Sequence, residues 1–469
     1  MSINNARADQ VDAIVPLVRN VIRTKYEDIP QQVREVAKRT VIDTLGPIIA
    51  GSTAPGCQAV VNMIKDWGGK KESTIIAGGL KVPAANAVWA NATMGRSREL
   101  DDCEDITGDH SSVAAVPTAL AMSEMLGGAS GKDVMTAIVL GADLVIRIRR
   151  ACKRKSGISP WGTGSYCVFN AAAVAGKLLG LNEEKMINAM GLAYSQMSNT
   201  YQWVFDGALS GRVHQGIAVK AGLVSALLAD KGITGPHSVL EGKYGLYPVY
   251  ELDQYDRDTI FAGLGKEFHI TDLSVKPFSS CKDTHTPIQA TLELVRENDI
   301  KPQDVEEIRV YVNESSYRLC AVPENTKRAP KSIADAQFSD YYTVAAAVIH
   351  RDVFIAQFTE EAIKDPKVLQ MCNKVKVIAD PEMSAIAITV GPSKVQIDTK
   401  AGRTYSRTVE YVPGHPKNPM SFDDCVEKFR KCLPFSIKPL PDENIERVIS
   451  LVRNLENLKD VRRIPRLLA

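Results

Sequence analysis

A chain of 469 residues, 45% hydrophobic and 24% charged, has the composition of an ordinary globular protein and the length for two or three domains. Its formal net charge of +2 gives no global electrostatic case for a nucleic-acid partner. Nine scattered cysteines without a CxxC pair read as reduced thiols, and so as a cytoplasmic protein. The N-terminal Met1-Ser-Ile-Asn-Asn-Ala-Arg-Ala-Asp lacks the basic-then-apolar layout of a secretory signal. The longest apolar run, Val134 to Ile148, contains Asp143 and falls short of the about 18 to 20 residues of a membrane span. Neither export nor membrane insertion is expected.

From about residue 8 to 265 the hydrophobic period is helical almost throughout. Val33, Val36, Ala37, Val41, Ile42, Leu45, Ile48 and Ile49 keep the three-and-four spacing of one buried helix face. Similar runs cover 83–95, 112–127, 131–150, 168–180, 184–198 and 213–231. Many use Ala and Gly where Leu is commoner, as in Ala171-Ala-Ala-Val-Ala-Gly-Lys-Leu-Leu-Gly-Leu181, which lets backbones approach closely. After His269 the texture changes to period two: Ile308, Val310 and Val312 alternate, Val375, Val377, Ile386, Ile388 and Val390 continue, and 395–398 with 404–411 read as a hairpin around Thr399-Lys-Ala-Gly402. A helix is expected between the strands at 340–350, and helical period returns at 422–433 and 442–455. The predicted fold is mainly α: one all-helical domain from residues 1–272 and 413–469, with a smaller α/β domain of residues 273–412 inserted.

The densest chemistry lies in Glu99-Leu-Asp-Asp-Cys-Glu-Asp-Ile-Thr-Gly-Asp-His110-Ser-Ser, just ahead of the apolar run from Val113. Carboxylates so close repel one another, and imidazole is the side chain best suited to exchange protons near neutrality, so the segment reads as an acid/base centre. Asp109 and Ser111 have a plainer reading as helix caps. Acids and a His also suit a cation, yet no HExxH or paired-Cys spacing is present, and no metal is expected. A second run, Lys276-Pro-Phe-Ser-Ser-Cys-Lys-Asp-Thr-His285, adds cations and hydroxyls, Ser279 among them. Arg147-Ile-Arg-Arg-Ala-Cys-Lys-Arg-Lys155 carries six cations in nine residues, either as a solvated helix end or as a wall attracting an anionic substrate. Gly162-Thr-Gly-Ser lacks the third glycine of a dinucleotide fingerprint, Gly128-Ala-Ser-Gly-Lys lacks phosphate-loop spacing, and no GxSxG elbow exists, so no cofactor is expected.

The order and spacing of several motifs resemble the MmgE/PrpD family over nearly the whole chain: Leu100-Asp-Asp with His110-Ser-Ser, Ala175-Gly-Lys-Leu-Leu-Gly-Leu181, Arg212-Val-His-Gln-Gly-Ile-Ala-Val-Lys-Ala-Gly222, Lys276-Pro-Phe with Cys281 and His285, and Ala336-Gln-Phe-Ser-Asp-Tyr-Tyr-Thr-Val-Ala345. The resemblance implies a helical domain under an α/β lid, usually in a homodimer. It implies Asp101 and His110 as acid and principal histidine, Lys276 at the lid's entrance, and Tyr317 as a lid tyrosine. Two family positions differ: Trp161-Gly-Thr-Gly replaces a second histidine, and Gly211 stands where many members carry lysine. The expected activity is a cofactor-independent lyase or isomerase on a small anionic di- or tricarboxylic acid, a dehydratase first, with epimerisation, decarboxylation or a non-catalytic binding role as alternatives. Catalysis is assigned to Asp101, His110 and Lys276, and substrate binding to Arg212, Lys276, Ser279 and Tyr317.

Overall fold

The computed structural model describes residues 11–153, 161–385 and 390–469. The N-terminal residues 1–10, Arg154 and Lys155 of the basic run, and Ile386 and Ile388 of the period-two signal lie outside the described residues.

The helical runs become α1 (Gln31–Gly51), α2 (Ala84–Arg96), α3 (Ser112–Met125), α4 (Gly131–Ala151), α5 (Cys167–Leu179), α6 (Glu183–Tyr194) and α7 (Ser210–Asp230). Val33, Ala37, Val41, Ile42, Leu45, Ile48 and Ile49 of α1 are buried, as the spacing predicts. α7 is the hub, packed on α5, α2 and α6. Small residues set its distance: a Cβ on Gly222 would stand 2.2 Å from the Val168 carbonyl oxygen of α5. Two short strand pairs interrupt the helical half, Ser73–Thr74 with Lys81–Val82, and β1 (Cys103–Glu104) with β2 (Leu273–Ser274). Two-residue strands are too short to leave a period-two signal, so the sequence pattern passes over them.

Beyond Lys276 come α8 (His285–Glu297), β3 (Val305–Val312), α9 (Glu314–Cys320), α10 (Asp340–His350), β4 (Val375–Ala379), β5 (Ser393–Thr399) and β6 (Thr404–Val409). The four strands form one sheet in the order β4-β3-β5-β6, with β3 parallel to β4 and the other pairs antiparallel. Ile308, Val310 and Val312 face its core, and α8 and α10 cover that face. Val390 lies in a bend, not a strand. The chain then returns to the helical body as α11 (Phe422–Cys432) and α12 (Asp442–Arg453). α11 packs on α1, where Lys428 Nζ stands 2.7 Å from Asp43 Oδ1 and donates to the Leu100 carbonyl at 2.7 Å.

Two large hydrophobic cores result, with two small clusters, around Leu100 with Phe354 and around Val204 with Phe338, that join residues of both halves. One large core joins residues from Ala13 to Val275 with residues from Cys425 to Leu468, and the other runs from Phe278 to Val412. Among the described residues no helix is long and apolar enough to cross a membrane.

The contact between α7 and α5 leaves no room for a side chain at 222. Gly222→Val is expected to lower the urea or thermal midpoint through overpacking, by about 1–3 kcal/mol. An unchanged midpoint would mean that the two helices are not held at this distance.

Candidate active site

The acidic loop is built by its neighbours. α2 delivers Arg96, β1 pairs Cys103 with Ser274, and Gly108 at φ +70° turns the chain back so that Glu104 N–H bonds the Asp109 carbonyl at 2.8 Å. That positive φ, which glycine adopts without strain, accounts for a glycine inside the cluster. Asn170 of α5 donates to the Ser111 carbonyl at 3.0 Å, and Gln215 of α7 to the His110 carbonyl at 3.2 Å. Ser111 does not cap α3; its hydroxyl donates to Asp109 Oδ1 at 2.5 Å. Asp102 instead accepts the Ser112 N–H at 3.2 Å and the Ser112 hydroxyl, so it caps α3 from outside the helix.

A buried chain of charges runs through this frame. Lys276 Nζ is 3.1 Å from Glu99 Oε2, and the other Glu99 oxygen pairs with Arg96. Arg96 Nη1 is 3.2 Å from Asp101 Oδ1, and Asp101 Oδ2 is 3.1 Å from His110 Nδ1. His110 Nδ1 also lies 2.6 Å from the Asp102 carbonyl oxygen. A carbonyl oxygen only accepts, so Nδ1 carries the proton and Nε2 is the basic nitrogen of the neutral ring. Burial works to raise Asp101, but Arg96, His110 and Lys276 outweigh it and hold the carboxyl well below its usual range. Glu99 is likewise desolvated yet lowered by Arg96 and Lys276. Burial disfavours a charged Lys276, but Glu99 and Asp101 raise it above its ordinary value.

His110, Lys276, Arg96 and Glu99 line a cavity of about 320 Å³ whose walls come from both halves of the molecule. The helical body adds Arg149, Arg150, Gly162, Gly211 and Gln215; the second half adds Lys282, Asp283, Ser315 and Leu319. Among the described residues no group of three or more His, Cys, Asp and Glu side chains is arranged to hold a metal ion.

Asp101, His110 and Lys276 therefore meet at one place, whereas the other predicted binding residues do not line the cavity. Arg212 is buried beside the wall: Gly211 and Gln215, one helical turn apart, face the cavity, and Arg212 turns to the next face, where Nη2 donates to Gln337 Oε1 at 3.1 Å. Ser279 is buried with its hydroxyl donating to the Arg98 carbonyl at 2.5 Å. Tyr317 lies on α9, not on a strand, and packs against the second core while its neighbours Ser315 and Leu319 reach the cavity.

The basic run divides. Arg147 is a structural residue, 2.8 Å from Asp143 and donating to three carbonyls, whereas Arg149, Arg150 and Lys153 line the cavity. At the two positions that depart from the family, Trp161 packs against Tyr250 with centroids 4.6 Å apart and the rings tilted by 57°, and a Cβ on Gly211 would stand 2.1 Å from the Trp203 ring. The 147–155 run, read as one of two alternatives, thus supplies wall cations in Arg149, Arg150 and Lys153, while Arg96 as a network member and Lys282 individually as a wall cation were not singled out in the sequence. The spacing of Arg96, Glu99 and Asp101 was a signal for the first.

Asp102 sets a pH dependence. Burial, with Asp101 and Asp43 nearby, pushes its carboxyl up to about 8 despite the bonds from Ser112. The folded protein then holds a proton that the unfolded chain releases, so this residue's contribution to stability is full at low pH and is lost as pH rises from about 4 to about 8. Asp102→Asn, which mimics the protonated form, is expected to gain stability relative to the parent across that window in denaturation experiments. A difference that is independent of pH would mean that Asp102 is ionised throughout.

Comparison with known proteins bears on this arrangement. A model of the MmgE/PrpD N-terminal domain matches residues 16–257, and one of the MmgE/PrpD C-terminal domain matches residues 278–455. A cis-aconitate decarboxylase of Aspergillus terreus (strain NIH 2624) is 27% identical over 455 residues, covering 93% of this chain and 91% of that protein. The cis-aconitate decarboxylase of Homo sapiens is 25% identical over 453 residues, covering 93% and 90%. A 2-methylcitrate dehydratase of Escherichia coli K12 is 21% identical over 415 residues, covering 82% and 80%. With both of its domains matched in order around the buried histidine network, the chain belongs to the MmgE/PrpD family.

Proposed function

We propose that this protein is a cofactor-independent lyase that moves a proton at a carbon next to a carboxylate of a small di- or tricarboxylic acid. The observation that carries the reading is the pinned imidazole: Nδ1 is committed to Asp101 and the Asp102 carbonyl, which leaves Nε2 as the basic atom beside a cation-rich cavity. Removing such a proton builds charge on a group that is already anionic, so fixed cations must hold it. Asp101 stabilises the imidazolium once Nε2 has taken the proton, and Lys276 and Arg96 keep Asp101 ionised. Loss of a β-hydroxyl from the resulting carbanion gives dehydration, the first reading. Return of the proton to the other face gives epimerisation. Proton delivery by the imidazolium coupled to loss of CO₂ gives decarboxylation, a second reading favoured by the higher identity to the relatives named cis-aconitate decarboxylase than to those named 2-methylcitrate dehydratase.

In this reading residues 273–412 act as a lid over a helical body of residues 1–272 and 413–469, since the cavity draws walls from both cores. The working form is a homodimer, supported by the exposed Met63, Trp67, Leu209 and Ile217 on and beside α7. Nine free cysteines, eight of them buried, fit a cytoplasmic setting.

A panel of polycarboxylates incubated in D₂O and followed by NMR distinguishes deuterium uptake, alkene formation and CO₂ loss without assuming a substrate. On the compound that reacts, His110→Ala is expected to lower the rate by about 10²- to 10⁴-fold, the usual size of a proton-transfer contribution. Full activity in that variant would end the proposal.

A further inference from the structure

The cavity is lined by six cationic side chains, and their electrostatic states differ. Arg96 and Lys276 are neutralised by Glu99 and Asp101. Arg150 lies 2.6 Å from Glu104 and 3.0 Å from Asp272, and Lys153 is exposed. Two buried cations remain.

Lys282 is 3% exposed, and its Nζ has no hydrogen-bond partner among the described residues. Its nearest carboxylate oxygen, Asp105 Oδ2, is 3.7 Å away and already accepts the Ser274 hydroxyl at 2.7 Å, with His415 Nε2 at 3.5 Å. Asp283, next in the chain, is desolvated and raised above the usual carboxylate range, which weakens it as a counter-charge. Arg149 is 9% exposed, and the buried Asp109 acts on it as a neighbouring carboxylate without closing to a direct ion pair. Its Nη2 donates to the Thr107 carbonyl at 2.7 Å, its guanidinium stacks 4.4 Å over the Tyr166 ring, and its Nε is buried without a partner. Buried charges are ordinarily paired, because desolvation without an acceptor is costly. Two such charges on one cavity, one from α4 of the helical body and one from the segment entering α8, call for an anion with two separated charges.

We propose that Lys282 and Arg149 are specificity residues that each receive one carboxylate of the substrate, so that the carbon chain spans the cavity His110 lines. The inference rests on the lyase reading and assigns its anion-binding role to residues other than Arg212, Ser279 and Tyr317. Lys276 stays with Glu99 as part of the histidine network. A monocarboxylate satisfies only one of the two cations, which makes the site selective for diacids.

Calorimetric titration of the full-length protein with succinate and with propionate tests this. Succinate is expected to bind at least about tenfold tighter, a difference of about 1.4 kcal/mol. Lys282→Met and Arg149→Met are each expected to bring succinate down to the affinity of propionate. Without ligand, Lys282→Met is expected to keep or raise the thermal midpoint, because it removes a buried ammonium that has no hydrogen-bond partner among the described residues and whose counter-charge, Asp105, stands 3.7 Å off. A lysine held structurally by Asp105 would lower the midpoint or fail to fold when replaced, and either result contradicts the inference. Equal binding of succinate and propionate to the parent, or parent-like succinate binding in both variants, also overturns it. His110→Ala is the control: it is expected to keep succinate affinity while losing turnover. Retained turnover there defeats the lyase reading, whereas parent-like succinate binding in Lys282→Met and Arg149→Met defeats only the assignment of the two cations.

Discussion

Lys276, Glu99, Arg96, Asp101 and His110 form one buried chain of alternating charge, and the active-site geometry depends on its staying complete. Each carboxylate bridges two basic groups, so none of the four permanent charges is left alone in the interior. Removing one member would strand its partners, and an uncompensated buried charge costs about 3–5 kcal/mol. The same completeness fixes the imidazole. The Asp102 carbonyl accepts the Nδ1–H and Asp101 Oδ2 stands 3.1 Å from the same nitrogen, so the ring cannot rotate or exchange tautomer without giving up that bond and moving away from the carboxylate.

The fold exists around this chain in a specific sense. Arg96 closes α2, the acidic loop follows, and α3 begins two residues after His110. The β1–β2 pair ties that loop to the segment that delivers Lys276, and Lys428 of α11 donates to the Leu100 carbonyl. Segments more than 300 residues apart in sequence thus meet within the same few ångströms. The cavity lies where the two cores approach, and the Lys276–Glu99 pair joins the segment entering the second core to the loop that carries the histidine.

Periodicity made most of the architecture legible. Helices at 84–96, 131–151 and 210–230 fall within a few residues of their hydrophobic runs; the first two are buried on nearly every face, and 210–230 buries most of its length against its neighbours. The site was legible only in part. Asp101 and His110 could be read because both sit in one short polar loop ahead of an apolar helix. Arg212 looked equally suitable, but a helix shows different faces to successive residues, and that position turns toward Gln337 while Gly211 and Gln215 face the cavity. Ser279 and Tyr317 lie off the cavity wall for the same kind of reason, since residue type gives no orientation. Arg149 and Lys282 were hidden in a basic run and a mixed run, and what marks them is a buried nitrogen without a hydrogen-bond partner, which only three dimensions reveal.

The departures at Trp161 and Gly211 also have a physical reading. Trp203 covers Gly211 so closely that a longer side chain there needs the ring to move, and Gly162 and Gly164 line the wall beside Trp161. In the proposed reaction proton transfer falls to His110 and charge binding to other cations, so the tautomer of that one ring decides the account. ¹⁵N NMR of histidine-labelled protein, with the His110 resonance assigned by its loss in His110→Ala, measures it directly. In the neutral ring the single proton is expected on Nδ1, and Asp101→Asn is expected to perturb that signal. A proton resident on Nε2, or no response to Asp101→Asn, would contradict the arrangement on which the mechanism is built.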